Sequence, residues 1–458
     1  MSSSTQKVQN LLQWIEAQGG YVHPSVVPEL DPSTGLSAFA QADIDKDERL
    51  ISCPFNLAVT PELAGEAICA IESLKEDELV WLAGTSRAGE KWNDRMRIGA
   101  YIGLHWVRTD EEGEESLPSS LRHWPYINSL PPAPDLTTPL YFTEPELDLL
   151  RGTNLHGAVM DRKAEWKEEW AAMNAVLKKD GLTWDRYLLT ATYLSSRAFP
   201  SKLLRLPDTG SSTTSAIQTS DEEDSHPVLL PGVDLFNHAR GQPIVWLSSE
   251  TPSTSHGSTK TISLVTPAAH SKGAQLFNNY GPKPNEELLL GYGFVIDDNP
   301  DDVVALKLGS QKASGTVTER LTKAELDPTK RFLLRRDGKL DPDLMSVLRI
   351  LLSPDYPVEE EEIDSEDEHA LHAQEEKSMQ LELDVLGTLG QMLDDKLEKL
   401  EQASPGEGEV RDEVRTMVEV YRKGQVEIVS TAMEKIEERI RRLEGLMDQG
   451  MGGCACCT

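Results

Sequence analysis

The sequence predicts an α+β protein: a small-sheet domain split by a helical insert, followed by an all-helical C-terminal domain. Three observations predict it. Short apolar runs bounded by turn residues lie on both sides of a long block of three-to-four-spaced apolar positions, and two further stripes of helical period fill the end of the chain. Strands flanking a helical block argue for one sheet domain with an insertion, not for two sheet domains in series. The chain is therefore divided into a split domain over 1–302, with the insert at about 60–199 and a flexible loop at about 207–226, a helical domain over 303–450, and a Cys-containing flexible tail over 451–458. A length of 458 residues allows this at roughly 150 residues per domain.

Each element has a local reason. Val8, Leu11, Leu12 and Ile15 repeat at helical spacing and the repeat stops at Gly19-Gly20, which predicts a first helix. Gly35 to Ala40 and Arg49 to Pro54 are short apolar runs between turn residues and are read as strands. Helices are expected at Pro61 to Ala83, Arg95 to Val107, Ala158 to Lys179 and Trp184 to Arg197, and strands again near Val228 to Val233, Lys260 to Thr266 and Ala274 to Phe277. Pro207 to His226 and Ser248 to Ser258 are rich in Ser, Thr and Pro, with acidic residues among them, and are expected to be exposed loops. Glu359 to Glu368 is an acidic run, read as a solvated loop. Leu383, Leu386, Leu389, Leu393, Leu397 and Leu400 share one helical face, as do Val414, Met417, Tyr421, Ile428, Ala432, Ile436, Ile440 and Leu443. The break at Ser404-Pro-Gly406 makes them an antiparallel pair.

Charge narrows the partners. With 77 acidic against 45 basic residues the formal net charge is -32, which argues against direct nucleic-acid binding, since that needs cations to displace phosphate counterions. A lysine-bearing, basic protein is the expected partner, although the same charge also maintains solubility. No transmembrane segment and no secretory start are read, so an intracellular protein of cytoplasm or nucleus, acting as a monomer, is expected. Cys53 and Cys69 sit in separate apolar contexts and are expected to be reduced; Cys454, Cys456 and Cys457 form a reactive tail. Neither a zinc spacing nor a Walker phosphate loop is present.

The densest signal runs from Pro231 to Phe294. It holds Gly232-Val-Asp-Leu-Phe-Asn-His238 and, after a polar linker, Gln275-Leu-Phe-Asn-Asn-Tyr-Gly-Pro-Lys-Pro-Asn-Glu-Glu-Leu-Leu-Leu-Gly-Tyr-Gly-Phe294. An amide beside an imidazole offers donors and acceptors for an amino-acid-like ligand, and a tyrosine followed by glycine permits a tight turn against one. These segments resemble the SET-domain protein lysine methyltransferases, in the branch of Rubisco large-subunit methyltransferase and the fungal ribosomal lysine methyltransferases. The resemblance covers roughly residues 20 to 305 and implies S-adenosyl-L-methionine as cofactor and a lysine of a protein, possibly ribosomal or translation-related, as acceptor. It further implies that the helical C-terminus helps to hold that protein.

The resemblance assigns residues to roles. Tyr280 matches the catalytic tyrosine; Thr34, Leu36, Arg197, Asn237, His238, Tyr280 and Phe294 match cofactor-binding positions; Phe199, Asp234 and Tyr292 match the substrate channel. Trp124 to Pro131 also matches a family segment and is given a structural role. The chemistry is coherent with these residue types. The attacking amine must be neutral, a free lysine has a pKa of about 10.4, and an aromatic channel desolvates the ammonium and aligns it. One departure stands out: where the family has Gly-x-Gly, this chain has Gly35-Leu36-Ser37, which puts a side chain where the backbone approaches the cofactor. A catalytically silent SET-domain scaffold that binds lysine-rich proteins is the main rival reading, and a helical interaction protein working through residues 303–447 is another.

Overall fold

The computed structural model describes residues 3–82, 84–206, 225–253, 257–308, 315–353, 368–402, 406 and 408–452. In chain order the elements begin with α1 (Ser3–Ala17), β1 (Tyr21–Val22), β2 (Val26–Asp31), β3 (Gly35–Ala40) and β4 (Glu48–Pro54). The helices α2 (Pro61–Glu72), α3 (Asp94–Glu112), α4 (Trp124–Ile127), α5 (Glu144–Asp148), α6 (Asn154–Leu177) and α7 (Trp184–Arg197) follow. Then come β5 (Ala198–Pro200), β6 (Pro227–Leu229), β7 (Asn237–His238), β8 (Val245–Ser253), β9 (Gly257–Thr266) and β10 (Phe277–Asn278). The last group is α8 (Asn285–Tyr292), β11 (Val303–Leu306), α9 (Gly315–Lys323), β12 (Phe332–Arg335), α10 (Pro342–Leu352), α11 (Glu368–Glu401) and α12 (Asp412–Gly452). The chain forms two compact units, one of residues 1–136 and 161–282 and the other of 137–160 and 283–458; the first boundary thus precedes residue 302.

In the first unit a four-stranded antiparallel sheet runs in the order β1-β4-β9-β8. Smaller pairs, β2 with β3 and β5 with β6, are antiparallel, whereas β7 and β10 pair in parallel. Local chemistry places the helix ends. Thr60 caps α2 by accepting from the Leu63 N–H at 3.2 Å and Pro61 fills its first turn, Asn93 caps α3 at 2.9 Å, and Thr183 caps α7 at 3.3 Å. Central to the insert is α3, buried continuously from Met96 to His105 and packed on α2 and α7. At its start the fully buried Glu169 carboxylate accepts from Asn93 Nδ2, from Arg95 through two N–H groups at 2.8 Å, and from the Tyr187 hydroxyl at 2.9 Å. That set of donors meets the cost of burying a charge.

Most of the expected helices and strands are present, with corrections: the helix expected over Pro61 to Ala83 stops at Glu72, where Ser73 turns left-handed at φ 56°. Ser248 to Ser258 was expected to be an exposed loop, yet Ser248–Ser253 belongs to β8 and Gly257-Ser258 to β9, in a hairpin with Thr251 opposite Thr259. Hydroxyl side chains suit a half-buried pleated surface, so polarity alone did not mark a loop. Val228–Val233 is a strand only as far as Leu229; Gly232 then turns the chain into a short 3₁₀ turn, Val233–Leu235. Cys53 and Cys69 are both free thiols. The loop at 207–224, the acidic run up to residue 367 and the three C-terminal cysteines lie outside the described residues.

The second unit is mainly helical, with a two-stranded antiparallel sheet of β11 and β12 added to the expected helices. Val304, Phe332, Leu348, Leu389 and Ile428 belong to one apolar core, so strands and helices share it. Glu382 meets Arg439, Gly390 faces Ile436 and Leu400 meets Arg422, which makes α11 and α12 an antiparallel pair. Fully buried Glu146, preceding α5's end, accepts from Arg411 at 2.8 and 2.9 Å. No helix among the described residues is long and apolar enough to cross a membrane.

Candidate active site

Four segments of the first unit converge on β7. The tip of the β2–β3 hairpin is set by Asp31, whose Oδ1 accepts from the Ser33 and Thr34 N–H groups at 2.8 Å each. Thr34 follows this turn and Leu36 lies on β3 opposite Leu30. Asn237 Nδ2 donates to Ser37 Oγ at 2.7 Å and to the Thr34 carbonyl at 3.3 Å, tying β7 to the hairpin. On its other side β7 pairs with β10, Asn237 opposite Phe277 and His238 opposite Asn278.

Beyond β10 the chain folds back on the imidazole. The Tyr280 N–H donates to His238 Nδ1 at 2.9 Å, and the two rings stack at 5.1 Å with an interplanar angle of 26°. A backbone amide can only donate, so Nδ1 is an acceptor here and His238 is the neutral tautomer that carries its proton on Nε2. The Tyr280 hydroxyl donates to the Phe236 carbonyl at 3.0 Å. Gly281, at φ +91°, makes the turn that allows this, with nothing within 4 Å of the place a side chain would occupy.

A second cluster surrounds Asp234. Its side chain is only 4 % exposed, and its Oδ2 accepts from the Tyr126 hydroxyl at 2.8 Å and from Arg197 Nη1 at 3.2 Å. Arg197, the last residue of α7, also donates to the Asp234 carbonyl at 3.0 Å. Burial pushes the Asp234 carboxyl up from its ordinary value, with Arg197 and Tyr126 opposing. Desolvation works against the Arg197 cation, while Asp234, Tyr126 and Tyr280 favour it, so Tyr280 is electrostatically linked to this cluster. Phe199 in β5 is buried against Trp246, rings 5.5 Å apart, and Trp246 Nε1 donates to Asn278 Oδ1 at 3.0 Å.

The first unit thus brings together Thr34, Asn237, His238 and Tyr280, and separately Arg197 with Asp234. Leu36 and Phe199 lie on the strands that border these groups. Tyr292 and Phe294 belong to the second unit, at the end of α8, with rings 6.2 Å apart. Burial pushes the Tyr292 hydroxyl up, opposed by Lys283, whose ammonium lies 5.8 Å from the ring centre. The sequence reading missed Tyr126, which it placed in a segment with a structural role, and Trp246; nothing local marks either, because their partners lie far along the chain.

The residues present fit S-adenosylmethionine. Asn237 Oδ1 accepts no hydrogen bond, and Arg197 uses only Nη1, among the described residues. An unused acceptor and an unused cationic fork complement an ammonium and a carboxylate. Open space lies beside Gly35 as well as Gly281. No group of three or more His, Cys, Asp or Glu among the described residues is placed to hold a metal.

Comparison with known proteins agrees with this geometry. No family model matches the chain. A solved structure of the SET domain of LSMT, bound in that crystal to lysine and AdoHcy, superposes with a TM-score of 0.68 at 20% identity, over 99% of this chain and 98% of that one. The chain has the SET fold. Among curated relatives, this SET-fold chain is 34% identical over 274 residues to a ribosomal lysine N-methyltransferase of Schizosaccharomyces pombe, covering 59% of the chain and 42% of that protein. It is 24% identical over 352 residues to a protein-lysine N-methyltransferase of Saccharomyces cerevisiae, covering 68% and 53%. The SET-fold chain spans about half the length of these two relatives. The resemblance read from the Asn-His and Asn-Tyr-Gly motifs therefore holds.

Proposed function

We propose that the chain is an S-adenosylmethionine-dependent protein-lysine N-methyltransferase. The observation that carries this reading is the union of Asn237, His238 and Tyr280 in one hydrogen-bonded group, beside a buried Asp234–Arg197 pair, in a protein related to lysine methyltransferases. When bound, S-adenosylmethionine supplies a methyl group on a sulfonium, open to in-line attack. Asn237 Oδ1 and the free edge of Arg197 would hold its amino-acid end and the Thr34 to Leu36 backbone would border it, while His238 stacks on Tyr280. Tyr280, its O–H donating to the Phe236 carbonyl, presents oxygen lone pairs that orient the incoming amine. Phe199 and Trp246 form an apolar wall that disfavours an ammonium and so favours the neutral, nucleophilic amine. Asp234 borders the path, its charge balanced by Arg197 and Tyr126.

The substrate in this reading is a lysine-bearing, basic protein, ribosomal or translation-related, met by a monomer inside the cell; the net charge of -32 supports attraction to such a surface. The test is labelled methyl transfer from S-adenosylmethionine into a methyl-poor extract, with modified residues located by mass spectrometry, comparing the wild type with Tyr280→Phe. Label on lysine that falls at least about a hundredfold in the variant is expected. Confirmed cofactor binding with no label would move the assignment to a silent scaffold. Label on another residue type, histidine included, would overturn the acceptor.

A further inference from the structure

We propose that Ser37 is a positioning residue for the cofactor: its hydroxyl locks the Asn237 amide so that the amide oxygen faces the ligand. This rests on the reading of Asn237 as a cofactor ligand and concerns the one position where the chain departs from the glycine motif of the proteins it resembles. Glycine at that place offers no side chain; serine brings a hydroxyl, and the geometry shows where it goes. The Ser37 side chain is 0 % exposed and turns toward Asn237, taking an N–H at 2.7 Å.

Two features fix the direction of this bond. The Asn237 nitrogen also lies 3.3 Å from the Thr34 carbonyl, which can only accept, so the amide cannot be turned over without setting two oxygens against each other. The Ser37 hydroxyl has its own acceptor in the Gly35 carbonyl at 3.1 Å and contacts Thr34 Oγ1 at 3.0 Å, which leaves an oxygen lone pair for Asn237. The chain of donors runs Asn237 N–H to Ser37 O–H to the Gly35 carbonyl. Both amide hydrogens are thereby turned toward the hairpin, and Oδ1 is left as a pre-aimed acceptor for an ammonium group. Without the hydroxyl, a side-chain amide held by one long bond samples both orientations, and binding has to select one.

The test is isothermal titration of S-adenosylhomocysteine into the full chain, which reads affinity with no turnover. Ser37→Ala and Ser37→Gly are each expected to weaken binding about threefold to tenfold, the range for one orienting hydrogen bond. Asn237→Ala is expected to weaken it more, and Ser37→Ala added to Asn237→Ala to change nothing further, a non-additivity that a merely structural serine would not give. The glycine variant serves if the alanine variant does not fold. Unchanged or tighter binding in both folded Ser37 variants, with Asn237→Ala still impaired, overturns the role of Ser37 alone; no binding by the wild type, or full binding by Asn237→Ala, overturns the cofactor reading and this proposal with it.

Discussion

Replacing Tyr126 by Phe isolates the hydrogen bond that supports Asp234. The hydroxyl is buried and donates at 2.8 Å to Oδ2 of a carboxylate whose only other side-chain donor among the described residues, Arg197, stands at 3.2 Å. The ring is retained, so the change removes one charge-assisted bond and little packing. A bond of that kind stabilises by about 1.5–3 kcal/mol. The sign of the pH dependence follows from the Asp234 shift. Its carboxyl is already raised by burial, so the native state holds that proton more tightly than the unfolded chain, and the associated stability is present at low pH and lost as pH rises through the native value. Tyr126→Phe raises it further. The difference between wild type and variant should therefore be largest at neutral and alkaline pH and shrink on acidification, as Asp234 becomes neutral in both. Urea unfolding of the two proteins from below the ordinary carboxylate range up to about pH 8 measures this. In the methyl-transfer assay the variant should raise the KM for the protein acceptor while leaving the affinity for S-adenosylhomocysteine nearly unchanged. A stability difference below about 0.5 kcal/mol, within the range of an ordinary surface substitution, or one that does not vary with pH, would refute the reasoning.

Further outcomes follow from other buried features. Gly232 has φ +78°, and an added Cβ would lie 2.6 Å from Ile15 Cδ1 and 2.8 Å from Ile51 Cδ1, so Gly232→Ala should cost roughly 2–5 kcal/mol in urea unfolding; a loss below 1 kcal/mol on that order-of-magnitude scale would show that the turn can relax. His105 and His123 are buried, and burial pushes them down to about 4 and about 3. Both stay neutral in the native state, so their contribution is complete above the unfolded value near 6.5 and lost as pH falls through the native ones; from pH 7.5 to 5 the pair should lose roughly 4 kcal/mol, and His105→Leu should remove about half of that slope.

The parts legible in the sequence are those whose signal is local. Val8, Leu11, Leu12 and Ile15 are all buried, because a helix lying on a core must repeat its apolar residues. The bounds of α7, Trp184–Arg197, matched expectation because Thr183 caps its start and the chain becomes extended at Ala198. Ser248 to Ser253 failed because polarity was read as exposure, while the strand depends on pairing with β9. The strands β11 and β12 were passed over since runs of four and three apolar residues are too few to distinguish a strand from a helix turn. At the site, the Asn-His and Asn-Tyr-Gly motifs pointed to residues that do meet, yet the bond from Tyr126 to Asp234 crosses 108 residues and no periodicity encodes it. Ser37 was visible only as an irregularity; its partner could not be read without coordinates.

The bonds from Asn237 to Thr34 and Ser37 join positions 203 and 200 residues apart, whereas α2, α3 and α7 can pack on one another as soon as the insert exists. Long loops must close before such distant contacts repay their entropy, so the pocket should assemble late on the folding route. Contacts absent from the transition state leave the folding rate alone and slow unfolding. On a ribosome adding about 5–20 residues per second, several seconds separate the emergence of Arg197 from that of Tyr280. A scarcity of cofactor in the cell should then leave the yield of newly folded chains unchanged and shorten the lifetime of each finished molecule.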